Sequence, residues 1–163
     1  MNVATRIEIA DDTPIIQAMS QLLLEGSRKA EFMDSIGAAL VSGASLRFPE
    51  GVDPDGMPWQ QSIRAKEQGG ETMRDKGRLM ASLSHNVLSD DEVEYGTNLQ
   101  YGHALHFGAL IKPVNGNFLT FKIGARWVRV KQVLLPARPF LGVSKEDEIE
   151  VMNIINIFLG QAT

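Results

Sequence analysis

The stretch SRKAEFMDSIGAALVSGASLRF, residues 27–48, sets Phe32, Met33, Ile36, Leu40 and Val41 three and four residues apart. That spacing predicts one long amphipathic helix, with Ser27 able to cap its start and an apolar stripe reaching Phe48. Gly37 and Gly43 interrupt the stripe, each costing roughly 1 kcal/mol relative to Ala in a helix, so close packing against another element is the expected reason for them. Upstream, Thr5–Ile9 reads as a strand. Asp11, Asp12 and Thr13 before Pro14 then mark a helix from Pro14 to Leu24, closed by Glu25 and Gly26. Downstream, residues 49–59 hold three prolines, two glycines and two aspartates, a turn-rich loop. Residues 60–76 are polar and carry Gly69 and Gly70, an exposed excursion ordered only where a partner covers it.

The second half reads as hairpins. A short helix over 76–82 leads to strands at Leu83–Leu88 and Glu92–Thr97, joined by Ser89, Asp90 and Asp91. Asn98–Gly108 is expected to form a helical turn that packs rings onto the sheet. Phe118–Ile123 and Trp127–Val133 form a second hairpin about Gly124 and Ala125. Along single strands Lys122 shares a face with Phe118 and Thr120, and Arg129 and Lys131 share one with Trp127, so the hairpin reads as half basic and half aromatic. Pro136–Pro139 is rigid and extended; Ser144 with Asp147 opens a last helix with Ile149, Met152, Ile155 and Leu159 as its stripe. The expected fold is α+β: a small antiparallel sheet of two hairpins packed against the long helix and a C-terminal helix. Residues 1–163 are expected to be one domain, with an N-terminal strand and helix over 1–26, a flexible excursion over 49–76 and the terminal helix over 144–160.

Composition narrows the function. There is no cysteine, so disulfides, thiolate metal sites and cysteine nucleophiles are excluded, and a reducing cytoplasm suits the chain. Neither a signal peptide nor a membrane helix is expected. The net charge of −4 hides a strong segmentation. Tyr95–Lys145 contains seven bases (Lys112, Lys122, Arg126, Arg129, Lys131, Arg138, Lys145) and no acid, while residues 1–94 hold 16 acids to 9 bases and residues 146–163 four acids and no base. A basic surface facing nucleic acid fits this, as does one docking on an acidic part of a neighbouring subunit. The plainest alternative is that the bases pair with acids inside one folded monomer.

Catalytic chemistry finds no foothold. His103 and His106 have a spacing suited to a metal pair, but no third ligand or general-base carboxylate completes a pattern; rings packed near Tyr101 and bonded to the backbone are expected instead. Asp53, Asp55 and Gly56 resemble the start of a calcium loop, yet the twelfth position, which needs an acid, is Arg64, so a turn is the better reading. No serine sits in a nucleophile elbow and no phosphate-cradling loop occurs. No catalytic residue, metal or cofactor is expected. The remaining candidates suit interfaces: Lys122, Arg126, Arg129, Lys131 and Arg138 as basic groups, Trp59 as loop plug or partner anchor, and Phe140 in the segment 135–142, which also reads as a lead-in to the last helix.

Taken in order, Pro54-Asp55-Gly56-Met57-Pro58-Trp59, Lys76-Gly77-Arg78-Leu79 with Ser82-Leu83, Tyr95-Gly96-Thr97-Asn98, Tyr101-Gly102, His106-Phe107-Gly108 and Pro136-Ala137-Arg138-Pro139-Phe140-Leu141-Gly142 resemble the phage virion morphogenesis family, the tail-completion proteins of Mu-like and related tailed phages. The likeness runs from about Arg28 to the end. The family usually has Ala where this chain has Gly102, and often Asp-Thr where it has Asp75-Lys76. The resemblance implies a structural role for Gly77, Arg78, Leu79, Tyr101, His106, Gly108, Pro136 and Pro139. It also implies a tail-completion, neck or tail-terminator protein of the virion, assembled in the cytoplasm of a bacterial host. Copies would form a homo-oligomeric ring, six-fold, around the DNA channel, with neck, connector or tail-tube proteins as neighbours, no membrane, and non-specific contact to the genomic DNA. Two other classes compete: a non-specific nucleic-acid-binding protein using the basic hairpin 118–133, and a metal-dependent hydrolase centred on His103 and His106.

Overall fold

The computed structural model describes residues 3–8 and 26–160. The expected helix over 14–24 and the end of the first strand at Ile9 lie outside them. In chain order the elements are β1 (Val3–Glu8), α1 (Gly26–Glu50), α2 (Ile63–Gln68), α3 (Arg78–Ala81), β2 (Leu83–Ser89), β3 (Glu92–Thr97), α4 (Gln100–Phe107), β4 (Ala109–Ile111), β5 (Leu119–Ile123), β6 (Arg126–Val130), β7 (Val133–Leu135) and α5 (Lys145–Gly160). The class is α+β, as expected.

Phe32, Met33, Ile36, Leu40, Ala44 and Phe48 form the buried face of α1, the stripe that the spacing predicts. Burying each of the larger ones contributes about 1.5–3 kcal/mol. This face meets Leu83, Val93 and Tyr95 of the β2–β3 hairpin, Ile155 and Phe158 of α5, and Trp59 and Phe140 from the loops. Phe32 and Phe158 meet edge to face at 5.3 Å. The two helix glycines have the role expected of them. A Cβ at Gly37 would stand 2.5 Å from the His85 ring, and one at Gly43 would overlap the Asp147 carboxylate, so both let a neighbour approach the α1 backbone.

The hairpins do not share a sheet. β2 and β3 belong to a three-stranded antiparallel sheet of order β1-β3-β2, whereas β5 and β6 form a separate ribbon. A third pairing, Ala109–Ile111 with Val133–Leu135, was not expected; Val133 leaves the second hairpin to make it. Residues 60–76 carry more internal organisation than their polarity suggests. Ser62 caps α2 through its hydroxyl, Ala65 is buried, and Arg64 donates to the carbonyls of Glu71 (2.6 Å) and Arg74 (2.9 Å).

α5 corrects its predicted stripe. Asp147 N–H donates to the Ser144 hydroxyl and Ser144 N–H to the Asp147 carboxylate, the reciprocal cap that the sequence predicts. The buried side, however, is Ile155 and Phe158 with Val151 and Ile154 beside them. Ile149 and Met152 face outward at 62% and 45% exposure, and the Leu159 side chain lies outside the description.

Candidate functional site

Two regions collect the residues singled out by sequence. The first is a strap, residues 136–142, whose backbone is held from every side. Arg138 N–H donates to Leu105 O of α4 (2.9 Å), and the Arg138 guanidinium Nε donates to Gln60 O (2.8 Å). Trp59 Nε1 donates to Pro139 O (2.8 Å), Phe140 N–H donates to His106 Nδ1 (3.3 Å), and Arg47 Nη1 donates to Phe140 O (3.1 Å). The Tyr95 hydroxyl donates to Gly142 O (2.8 Å) and accepts from Gly142 N–H (2.9 Å). Gly108, at φ +77°, brings the end of α4 so close that a Cβ there would stand 2.8 Å from Ala137 N. The Asp53–Trp59 loop is closed by its own turn, with the Asp53 carboxylate accepting from the N–H groups of Asp55 and Met57, and this turn delivers Trp59 to Phe48 and the strap. The turn reading of Asp53–Gly56 therefore stands.

These positions settle what several candidates touch. Trp59, Arg138 and Phe140 are buried inside the monomer, so they offer no side-chain surface to a subunit or to DNA as this chain is folded. Gly77 adopts φ +71° at the start of α3, Leu79 is buried, and Arg78 and Tyr101 are exposed. His103 and His106 pack on Phe107, at 4.8 and 4.5 Å, not on Tyr101. Burial, then the charge of His103, pushes His106 below the range of an ordinary histidine. Among the described residues no group of three or more histidines and carboxylates is gathered as a metal site would need.

Sequence reading missed one buried constellation altogether. Arg47 and Asp147 form an ion pair between α1 and α5, with both side chains under 6% exposed. The available signal was an arginine set in the apolar stripe beside Phe48.

The second region is the β5–β6 ribbon. Its register pairs Thr120 with Arg129 and Lys122 with Trp127, and directly opposite residues project from the same side of a sheet. The two sets that single-strand counting separates therefore combine: Phe118, Lys122, Trp127, Arg129 and Lys131 are all exposed, and Leu119, Phe121, Ile123, Val128 and Val130 form a half-buried reverse. Trp127 is 70% exposed, and the Arg129 guanidinium lies 4.2 Å from the centroid of the Phe118 ring. Of the seven bases in the acid-free stretch, Arg126 alone has an ion pair among the described residues, 3.2 Å to Glu67. Among the described residues the other six bases of this segment have no acid as an ion-pair partner.

With the strap and ribbon placed, the known proteins can be set beside them. The model of the phage virion morphogenesis family matches residues 10–160, nearly the whole chain. The chain belongs to that family. It is also similar to a Haemophilus influenzae (strain Rd) protein, Mu-like prophage FluMu G protein 2, at 28% identity over 149 residues, 91% of each chain. No solved structure matches. Family membership gives the chain a structural, morphogenetic role in a bacteriophage, and the strap explains why the family's motifs occur together. Trp59, Tyr95, His106, Gly108 and the Pro136–Gly142 run, far apart in sequence, all meet at one backbone segment. The motifs build the fold, while the exposed ribbon face lies outside them.

Proposed function

We propose that this chain is a non-enzymatic virion component at the head–tail joint or the tail end, acting by assembly with its own copies into a ring, six-fold, around the DNA channel. The observation that carries this is the outward face of β5–β6. A tryptophan 70% exposed beside Lys122, Arg129 and Lys131, cations without ion pairs among the described residues, is surface suited to a partner and not to bulk water. Family membership supports the phage setting. Neck, connector or tail-tube proteins are the expected neighbours, and any contact with channel DNA is to phosphates, without sequence preference. Phage carrying Arg126→Glu, Arg129→Glu and Lys131→Glu together should give particles that lack the ring or lose their DNA; undiminished infectivity would contradict the proposal.

A second reading has one observation of its own. Phe118 and Trp127 interleaved with cations could stack bases of a single strand, making the chain a non-specific nucleic-acid-binding protein. Gel shifts with free DNA separate the two. The ring reading expects weak binding that salt abolishes, and tight binding that survives high salt would favour the second.

A further inference from the structure

The outward side of α5 supplies what the ribbon face lacks. At about 100° per residue, Ile149 lies opposite the buried side of α5 with Met152 and Ile157 on its two flanks, and the three are 62%, 45% and 55% exposed. Glu146, Glu148 and Glu150 border this ridge, all exposed and without ion pairs among the described residues, which show only Arg47–Asp147 for this helix. The helix thus has two apolar sides, one used inside the monomer and one open between carboxylates.

We infer that, in the ring proposed above, the ribbon face of one copy docks on the outward side of α5 of the next, Phe118 and Trp127 against Ile149, Met152 and Ile157, with Lys122, Arg129 and Lys131 opposite Glu146, Glu148 and Glu150. Three cations face three carboxylates, with the exposed Lys145 at the start of α5 offsetting part of the acidic charge. Length is matched. Phe118 and the Lys122–Trp127 pair sit four residues apart on the ribbon, about 13 Å, and Ile149 to Ile157 spans about 12 Å of helix. Other exposed apolar groups fit less well. Leu110, opposite Leu134 on β4–β7, lies within the acid-free stretch, and at the β2–β3 turn Asp90 is already paired with Lys29. A contact between two different faces of the same chain is head-to-tail, the kind that closes rings.

The inference rests on the ring reading, and sedimentation of the purified full chain across concentration separates the two. Reversing one face (Lys122→Glu, Arg129→Glu, Lys131→Glu) or the other (Glu146→Lys, Glu148→Lys, Glu150→Lys) should each weaken assembly by at least about 100-fold, because like charges then meet. Combining all six substitutions in one chain, or mixing the two triple variants, should restore it; restoration also shows that the variants fold. Triple variants that assemble as the natural chain does would overturn the docking and leave the ring reading standing. Loss with the ribbon set but not with the helix set would overturn it in favour of a ribbon that docks on another surface of the next copy, as would loss with both sets and no restoration in chains whose circular dichroism is unchanged. A natural chain that stays monomeric at every concentration, alone and with its particle, would remove the ring reading itself.

Discussion

The strap and the ribbon face carry similar residues and put them to opposite use. At the strap, Arg138 Nε and Trp59 Nε1 each donate to a backbone carbonyl and both side chains are almost sealed from water, whereas Arg129 and Trp127 on the ribbon stand in the open. An arginine or tryptophan is therefore no marker of an interface by itself. What distinguishes the two regions is whether the fold already satisfies the side chain: a buried, fully bonded group specifies the monomer, and an exposed aromatic among uncompensated charges remains for a partner.

Substitutions should separate the regions in the same sense. The largest effect is expected for Asp147→Ala, which leaves the Arg47 guanidinium buried without its carboxylate and removes the α5 cap. Chemical denaturation should show a loss of about 3–5 kcal/mol. Gly102→Ala comes next. A Cβ there would stand 2.7 Å from the Thr97 methyl, so despite the better helix propensity of Ala the change should cost about 1–3 kcal/mol, and Thr97→Ser in the same chain should recover most of it.

Acidification should have a smaller effect, through His106. Its pKa is lowered in the fold, so the unfolded chain binds the proton more readily, and stability is full above the ordinary histidine range and declines as pH falls through about 6.5. Burial of the ring, then the charge of His103, gives the direction, and a proton on Nδ1 would also remove the acceptor of the Phe140 N–H. Melting curves from pH 8 to pH 5 should show that part of the decline abolished in His106→Asn, in which a side-chain oxygen can still accept. Least of all, Trp127→Ala should alter monomer stability by no more than about 0.5 kcal/mol while reducing assembly, because its ring is exposed before any partner arrives.

Sequence periodicity exposed the parts of the fold that local spacing governs. The α1 stripe, the β2–β3 turn and the Ser144–Asp147 cap each depend on residues a few positions apart, and each is present. The side of α5 that is buried could not be chosen that way. Ile149, Val151, Met152, Ile154, Ile155, Ile157 and Phe158 cover the helix nearly all round, so only docking on α1 decides among them. The β4–β7 pairing and the Arg47–Asp147 pair, the latter 100 residues apart, are non-local and left no periodic trace. The ribbon face was closer to hand. A two-residue turn at Gly124–Ala125 sets Ile123 opposite Arg126, and hence Lys122 opposite Trp127, so the shared basic-aromatic side was contained in the turn length. The strap was legible only as an ordered set of motifs, whose common physical cause is the backbone they jointly hold.

Hydroxyl-radical footprinting of the purified chain diluted to monomer and of purified particles tests the division most directly, since Trp127 and Met152 are both reactive and exposed in the monomer. Labelling of both should fall sharply in the particle, while the already buried Trp59 and Phe140 stay unlabelled in both samples. Equal labelling of Trp127 and Met152 in chain and particle would mean that these faces meet nothing, and would contradict the account.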